Sequence, residues 1–153
     1  MKLLIGLGNP GTKYLKNRHN AGHMLADRVR DTGFVVKKTD CFMNDSGKFV
    51  NKITTNYELP TTNLYIAHDD LDLKIGSYKI QLGVGPKVHY GIQSVEKELG
   101  TKDFWRIRLG VDNRDLNNRI SGEEYVLQDF TSEELGILDK VYEEIRNNLS
   151  QLK

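Results

Sequence analysis

The sequence predicts an α/β protein, a three-layer α/β/α sandwich around a twisted mixed sheet. Three observations lead there. Short unbroken apolar runs, of the kind buried on both faces of a sheet, recur along the chain. Segments with apolar residues at helical spacing lie between them. One further segment alternates apolar and polar residues, as an edge or half-buried strand does. In order, Leu3 to Leu7 reads as the first central strand and Ala21 to Val29 as a helix. Asn44, Ser46 and Gly47 read as the cap of a helix running through Phe49 and Val50. Leu64 to Ala67 is a second buried strand, Tyr78 to Leu82 the alternating one, and Ile107 to Val111 a third buried run. Tyr90 to Leu99 has helical spacing with Gly100 as its stop, and Glu133 to Leu149 is the last helix. The polar, charged stretch Asn113 to Gly122 is expected to be a mobile loop.

Length fits a single domain over residues 1–153, long enough for a substantial core. Hydrophobic residues at 38%, charged residues at 28% and only three prolines exclude a disordered chain. Cys41 is the only cysteine and has no partner for an internal disulfide. No apolar run approaches the roughly 18 residues of a membrane span, and no signal-like start is visible, so a cytoplasmic protein without membrane contact is expected. The net charge of +1 hides an asymmetry. Residues 1–52 carry ten Lys/Arg against four Asp/Glu, whereas residues 111–153 carry five against ten. A local positive field of this kind suits a polyanion such as nucleic acid, although two solvated faces of opposite sign would read the same way.

The opening GLGNPG matches the dinucleotide fingerprint G-x-G-x-x-G, but its context does not. A cofactor site needs a helix starting at the glycines and an acidic residue about 20 positions on, at the end of a second strand. Here Pro10-Gly11 is a turn, and Asp27 falls inside a helical pattern. No cofactor is expected. The turn instead brings Asn9 to the carboxyl end of the first strand, followed closely by Tyr14, Arg18, His19 and Asn20. A second cluster, HDDLDL at 68–73, follows a buried run; its carboxylates suit either a metal or the orientation of a histidine. His19 and His23 have the i, i+4 spacing of a zinc helix but lack the glutamate of H-E-x-x-H, so no metal is expected. The third cluster is CFMNDSGKFV at 41–50. The fourth, LGVGPKVHYGIQS at 82–94, is a glycine-rich loop leading into a helix whose first amides suit a phosphate or an oxyanion.

These four clusters in this order, together with FWRIRLG at 104–110 and YVLQDF at 125–130, resemble the bacterial-type peptidyl-tRNA hydrolase family over nearly the whole chain. The resemblance implies that family's fold and hydrolysis of the ester joining a peptide to tRNA. It implies His19 as the general base, Asp69 as the carboxylate that orients it, and Asn9 as the residue that tells a blocked aminoacyl group from a free one. It further implies that Tyr14, Phe42 and Asn44 contact the tRNA end. Tyr90 stands beside them in the glycine-rich loop, and Arg106 and Arg108, with Lys79, Lys102 and the basic first third, are expected to meet tRNA phosphates. The acceptor end of peptidyl-tRNA is the one macromolecular partner expected, and a monomer the default state.

Three departures from the family pattern stand out. His89-Tyr90-Gly91 replaces the family's H-N-G, exchanging an amide that contacts substrate for a phenol. The interval from Gly33 to Phe42 is short, as if a pair of strands were lost. The chain runs only a few residues past the helix at 133–149, where the family usually has a segment that closes over the cleft. These departures keep a second reading open, a non-catalytic RNA-binding protein on the same fold. A small-molecule esterase would leave the basic residues without a use.

Overall fold

A computed structural model describes residues 1–117 and 119–152. Five strands form one mixed sheet: β1 (Leu3–Gly6), β2 (Val35–Lys38), β3 (Leu64–Lys74), β4 (Tyr78–Leu82) and β5 (Trp105–Asp112). Their spatial order is β2-β1-β3-β5-β4. All neighbours run parallel except β4, which lies antiparallel on β5. Among the described residues five α-helices accompany them: α1 (Ala21–Arg28), α2 (Ser46–Asn56), α3 (Tyr90–Leu99), α4 (Gly122–Val126) and α5 (Ser132–Ser150).

Alternation along the strands builds two cores. Leu4, Tyr65, Ala67, Ile107 and Leu109 face α1 and α5, meeting Leu25, Tyr142 and Ile145. Leu3, Ile5, Leu64 and Ile66 face α2 and α3, meeting Val50, Ile92 and Val95. The two buried layers on either side of one sheet give the three-layer sandwich.

Gly6 of GLGNPG and Gly22 of α1 serve this packing. A Cβ on Gly6 would overlap the Gly22 carbonyl of α1, and one on Gly22 would overlap the carbonyl oxygen of Ala67 on β3. Helix α1 therefore lies directly on the strands whose ends carry the loop chemistry. Gly100 adopts φ 68°, the left-handed conformation that ends α3 as its position after the last periodic residue predicts.

The structure departs from the sequence expectations in four places. The short interval after Gly33 holds an edge strand, β2, which pairs in parallel with β1. Strand β3 continues beyond Ala67 to Lys74, so HDDLDL is strand and not loop. Helix α4 begins at Gly122 on a Ser121 cap, inside what reads as loop. Two residues at the start of the 113–122 stretch are tethered: Arg114 donates to Asp112 at 2.8 Å and to the Ile120 carbonyl, and the Asn113 N–H reaches the Tyr125 hydroxyl. Residue 118 of that stretch lies outside the described residues.

Candidate active site

The carboxyl ends of β1 and β3 and the N-terminal ends of α2 and α3 border a cleft of about 540 Å³. Asn9, His19, Phe42, Met43, Asn44, Asp69, His89 and Tyr90 line it, joined by residues of α4 on the far side. Position 69, at the end of the buried part of β3, aims its carboxylate at two imidazoles. His19 Nδ1–H donates to Asp69 Oδ2 and His89 Nε2–H donates to Asp69 Oδ1, each at 2.8 Å. Both ring nitrogens must carry protons there, because an ionised carboxylate only accepts.

The tautomer of each ring follows. His89 is the N-cap of α3, and its Nδ1 accepts from the Ile92 N–H at 3.1 Å. It is thereby fixed as the Nε2–H form, donor toward Asp69 and acceptor toward the helix. This contact also takes the Ile92 amide, one of those expected to point outward for an anion. His19, with Nδ1–H committed to Asp69, keeps Nε2 as its unprotonated nitrogen, open to the cleft. Burial opposes the imidazolium of His19, but the charge and hydrogen bond of Asp69 outweigh it and raise its pKa above the ordinary 6.5. Burial also opposes ionisation of Asp69, yet His19 and His89 hold its carboxyl far below the usual carboxylate range.

His19, Asp69 and His89 offer ligand atoms within 4.8 Å of one another. Metal ligation would require the nitrogens facing Asp69 to be deprotonated and both of its hydrogen bonds to be given up. The donor set as arranged is a hydrogen-bonded acid–base group and does not fit a metal. His68 stands behind it, its ring 5.1 Å from that of His89. Its Nδ1–H donates to the Asp69 carbonyl, and its Nε2 is buried without a partner among the described residues. Burial, with the neighbouring His89, lowers its pKa to about 3, so His68 is neutral.

The first wall is set by a pair of amides. Asn20 Oδ1 accepts from the Asn9 N–H at 2.8 Å and Asn20 Nδ2 donates to the Asn9 carbonyl at 2.9 Å. Asn9 Oδ1 in turn accepts from the Met43 N–H at 2.9 Å, joining the β1 turn to the Phe42–Asn44 segment. With its oxygen occupied, Asn9 presents only N–H donors to the cleft. Phe42 is exposed at the rim with the Tyr14 ring edge-on at 6.2 Å, and Asn44 is exposed beside it. Asn20 precedes α1 but makes no side-chain cap bond to it and clamps Asn9 instead.

His19 is carried by a buried brace at its own neighbour. Arg18 pairs with Glu134 at 2.7 Å, lies 4.0 Å over the Tyr125 ring and donates to the Tyr125 carbonyl. Glu134 also accepts from Asn113 and closes the capping box of α5 with Thr131. The turn that holds the histidine is thus tied to α4 and α5.

Arg106 and Arg108 do not join the cleft. Arg106 is 1% exposed, donates to Glu96 and the Lys102 carbonyl, and stacks on Phe104. Arg108 is 7% exposed and is held by Asp70 at 2.7 Å and Gln81 at 2.9 Å. Their expected role at phosphates is therefore corrected to one of bracing β5 against α3, β3 and β4, because each guanidinium is already desolvated and paired. Sequence reasoning missed His89 as a part of the site and the role of Asn20 in holding Asn9. The signal for both was present, since each adjoins a residue singled out for chemistry.

The chain is similar in sequence and fold to proteins of one family. The family model described as peptidyl-tRNA hydrolase matches residues 3–39 and 28–153. A peptidyl-tRNA hydrolase of Pseudothermotoga lettingae is 36% identical over 92% of this chain and 84% of its own length. One from Dehalococcoides mccartyi is 36% identical over 91% of this chain and 86% of its own. The crystal structure of peptidyl-tRNA hydrolase from Acinetobacter baumannii superposes with a TM-score of 0.86 at 25% identity, covering 99% of this chain and 88% of that one.

Proposed function

The chain belongs to the peptidyl-tRNA hydrolase family and is a hydrolase of the ester between peptide and tRNA, and we propose that His19 is its general base, oriented by Asp69. The observation that carries this assignment is the 2.8 Å His19–Asp69 hydrogen bond at the floor of the cleft. His19 Nε2 takes a proton from water as the water oxygen attacks the ester carbonyl carbon. The tetrahedral intermediate collapses by breaking the bond to the ribose oxygen, which receives that proton back from His19. General-base assistance of this kind contributes roughly 10²–10⁴ in rate. Asp69 fixes the productive tautomer and stabilises the imidazolium that forms between the two transfers. The step needs no metal and no covalent nucleophile.

Asn9 supplies the discrimination. The free N–H₂ of Asn9 suits the amide carbonyl of a blocked aminoacyl group, whereas a free α-ammonium finds no open acceptor on Asn9, whose oxygen is held by the Met43 N–H. Asn44 is placed to donate to the developing oxyanion or to a peptide carbonyl. Tyr14, Phe42 and Tyr90 offer rings for the unpaired 3′ end of the tRNA. Arg18, Arg28 and Lys38 of the basic first third are engaged with Glu134, Asp139 and Asp27. Phosphate contacts then fall to Lys13 and Lys16, flanking Tyr14, and to Lys48 and Lys52, exposed on α2 beyond Asn44. No helix of the described residues is long and apolar enough to cross a membrane. We place the protein as a monomer in the cytoplasm, with its tRNA substrate.

A non-catalytic RNA binder would have no chemical need for an imidazole held in its basic form. Single-turnover release of N-acetyl-aminoacyl groups from tRNA, in the presence of a chelator, tests the assignment. Wild type is expected to cleave and His19→Ala to lose at least a hundredfold in rate with tRNA binding retained. Equal rates for the two proteins would overturn the role of His19. If wild type binds tRNA without cleaving and Tyr90→Asn cleaves, the chain is a binder derived from the enzyme.

A further inference from the structure

The far wall of the cleft carries a charge that the hydrolysis does not use. Glu123, in the first turn of α4, lines the same cleft as His19, and its Oε1 accepts from the Tyr90 hydroxyl at 3.3 Å. Tyr90 is half-exposed and Glu123 exposed, so the contact spans the mouth of the cleft from α3 to α4. Among the described residues lining the cleft there is no lysine or arginine, and the only other carboxylate, Asp69, has both oxygens taken by imidazoles. Leu71, Val88, Val126 and Leu127 line the same cleft with apolar surface. An apolar trench ending in one carboxylate, held only by a neutral phenol, is complementary to an extended chain that presents a cation.

We propose that Glu123 is a specificity residue, which binds an ammonium group carried by the peptidyl part of the substrate, beyond the scissile ester. This rests on the reading of the cleft as the site of peptidyl-tRNA hydrolysis. It also gives the two walls opposite preferences. Near the ester, the donor-only face of Asn9 disfavours an ammonium; further out, Glu123 favours one. The phenol of Tyr90 keeps the carboxylate in place while the trench is empty, and yields it to a stronger, charged donor.

The ammonium has two sources, the peptide's own N-terminus and a lysine side chain, and three substrates separate them: glycyl-phenylalanyl-tRNA, N-acetyl-glycyl-phenylalanyl-tRNA and N-acetyl-lysyl-phenylalanyl-tRNA. The expected result with wild type is a kcat/KM about two- to fivefold higher for an ammonium-bearing substrate than for the uncharged acetylated one, the size of an exposed ion pair. Glu123→Gln is expected to bring the ratio to one, by lowering kcat/KM for the ammonium-bearing substrate relative to N-acetyl-glycyl-phenylalanyl-tRNA. Raising salt is expected to shrink the wild-type ratio toward one. Tyr90→Phe, which frees the carboxylate, is expected to keep or enlarge it. A ratio of one in wild type at low salt overturns the proposal. So does a Glu123→Gln variant that accelerates all three substrates alike, since the carboxylate would then only repel RNA. Failure of wild type to cleave the acetylated substrate at all would count against the hydrolase reading itself.

Discussion

Replacing Asp69 by asparagine is a sharper perturbation here than in an ordinary His–Asp pair, because the carboxylate serves two rings and one of them cannot change its tautomer. His89 Nδ1 is committed as acceptor to the Ile92 N–H, so His89 must donate from Nε2. In Asp69→Asn the amide therefore turns its oxygen toward His89 and its N–H₂ toward His19. His19 is then forced to accept at Nδ1 and to carry its proton on Nε2, the atom that should take one from water. The opposite amide orientation would set N–H against N–H at His89 or strand the Ile92 N–H, at a cost of about 1–3 kcal/mol. The productive tautomer is thus about 10- to 100-fold depleted before the lost charge of the carboxylate is considered. With that charge the expected loss in single-turnover rate is about 10³–10⁴.

The structure also predicts a partial rescue. His89→Ser keeps an N-cap for α3 but is too short to reach position 69. In Asp69→Asn/His89→Ser the amide is free to offer its oxygen to His19, and the rate is expected to rise about tenfold over Asp69→Asn alone. The assay is acetyl-aminoacyl release from tRNA at saturating enzyme, with thermal unfolding to confirm that both variants fold. If Asp69→Asn stays within fivefold of wild type, or the second substitution lowers its rate further, the shared-carboxylate argument is wrong.

Four further expectations follow from the structure. Because Asp69 raises the His19 pKa and the base must be neutral, the acid limb of kcat/KM should lie above pH 6.5, as a pH profile will show. Acid should also destabilise the fold: burial lowers His23 to about 4 and His68 to about 3, so both are neutral in the fold but protonate when the chain unfolds near pH 6.5. Their stabilisation is complete above that pH and declines below it, whereas His19, shifted upward, contributes below pH 6.5 and loses its contribution as pH rises through its own raised pKa. Urea midpoints should fall from pH 7 to pH 4 by the equivalent of about 3 kcal/mol for each of His23 and His68, offset in part by His19; a flat profile would contradict this. Arg18→Ala leaves Glu134 buried with its charge partner gone, and should cost about 3–5 kcal/mol, read as a drop in thermal midpoint on the order of 10 °C. Lys48→Ala with Lys52→Ala should weaken tRNA binding and flatten its log–log salt dependence by roughly one to two, with little change in the rate at saturation.

The elements with strong local signals are those that the amino-acid pattern determines. Tyr90–Leu99 and Tyr78–Leu82 have the bounds their periodicity predicts, because Gly100 stops the helix and alternation marks the edge strand. His19, Asp69, Asn9, Phe42, Asn44 and Tyr90 line one cleft, as the family resemblance implies. What the sequence alone left undecided depends on contacts between residues far apart in the chain. Strand β2 is too short and too exposed to carry a pattern, and exists because β1 offers it an edge. Arg106 and Arg108 look like any other cations until β5 is placed between β3 and β4, where Glu96, Asp70 and Gln81 neutralise or bond them. The second histidine on Asp69 is twenty positions away, and Glu123 meets Tyr90 across thirty-three. The sequence determines which side chains are available, through local periodicity and capping. Which of them are paired and silent, and which face an open cleft, depends on burial and partners that exist only once the sheet is assembled.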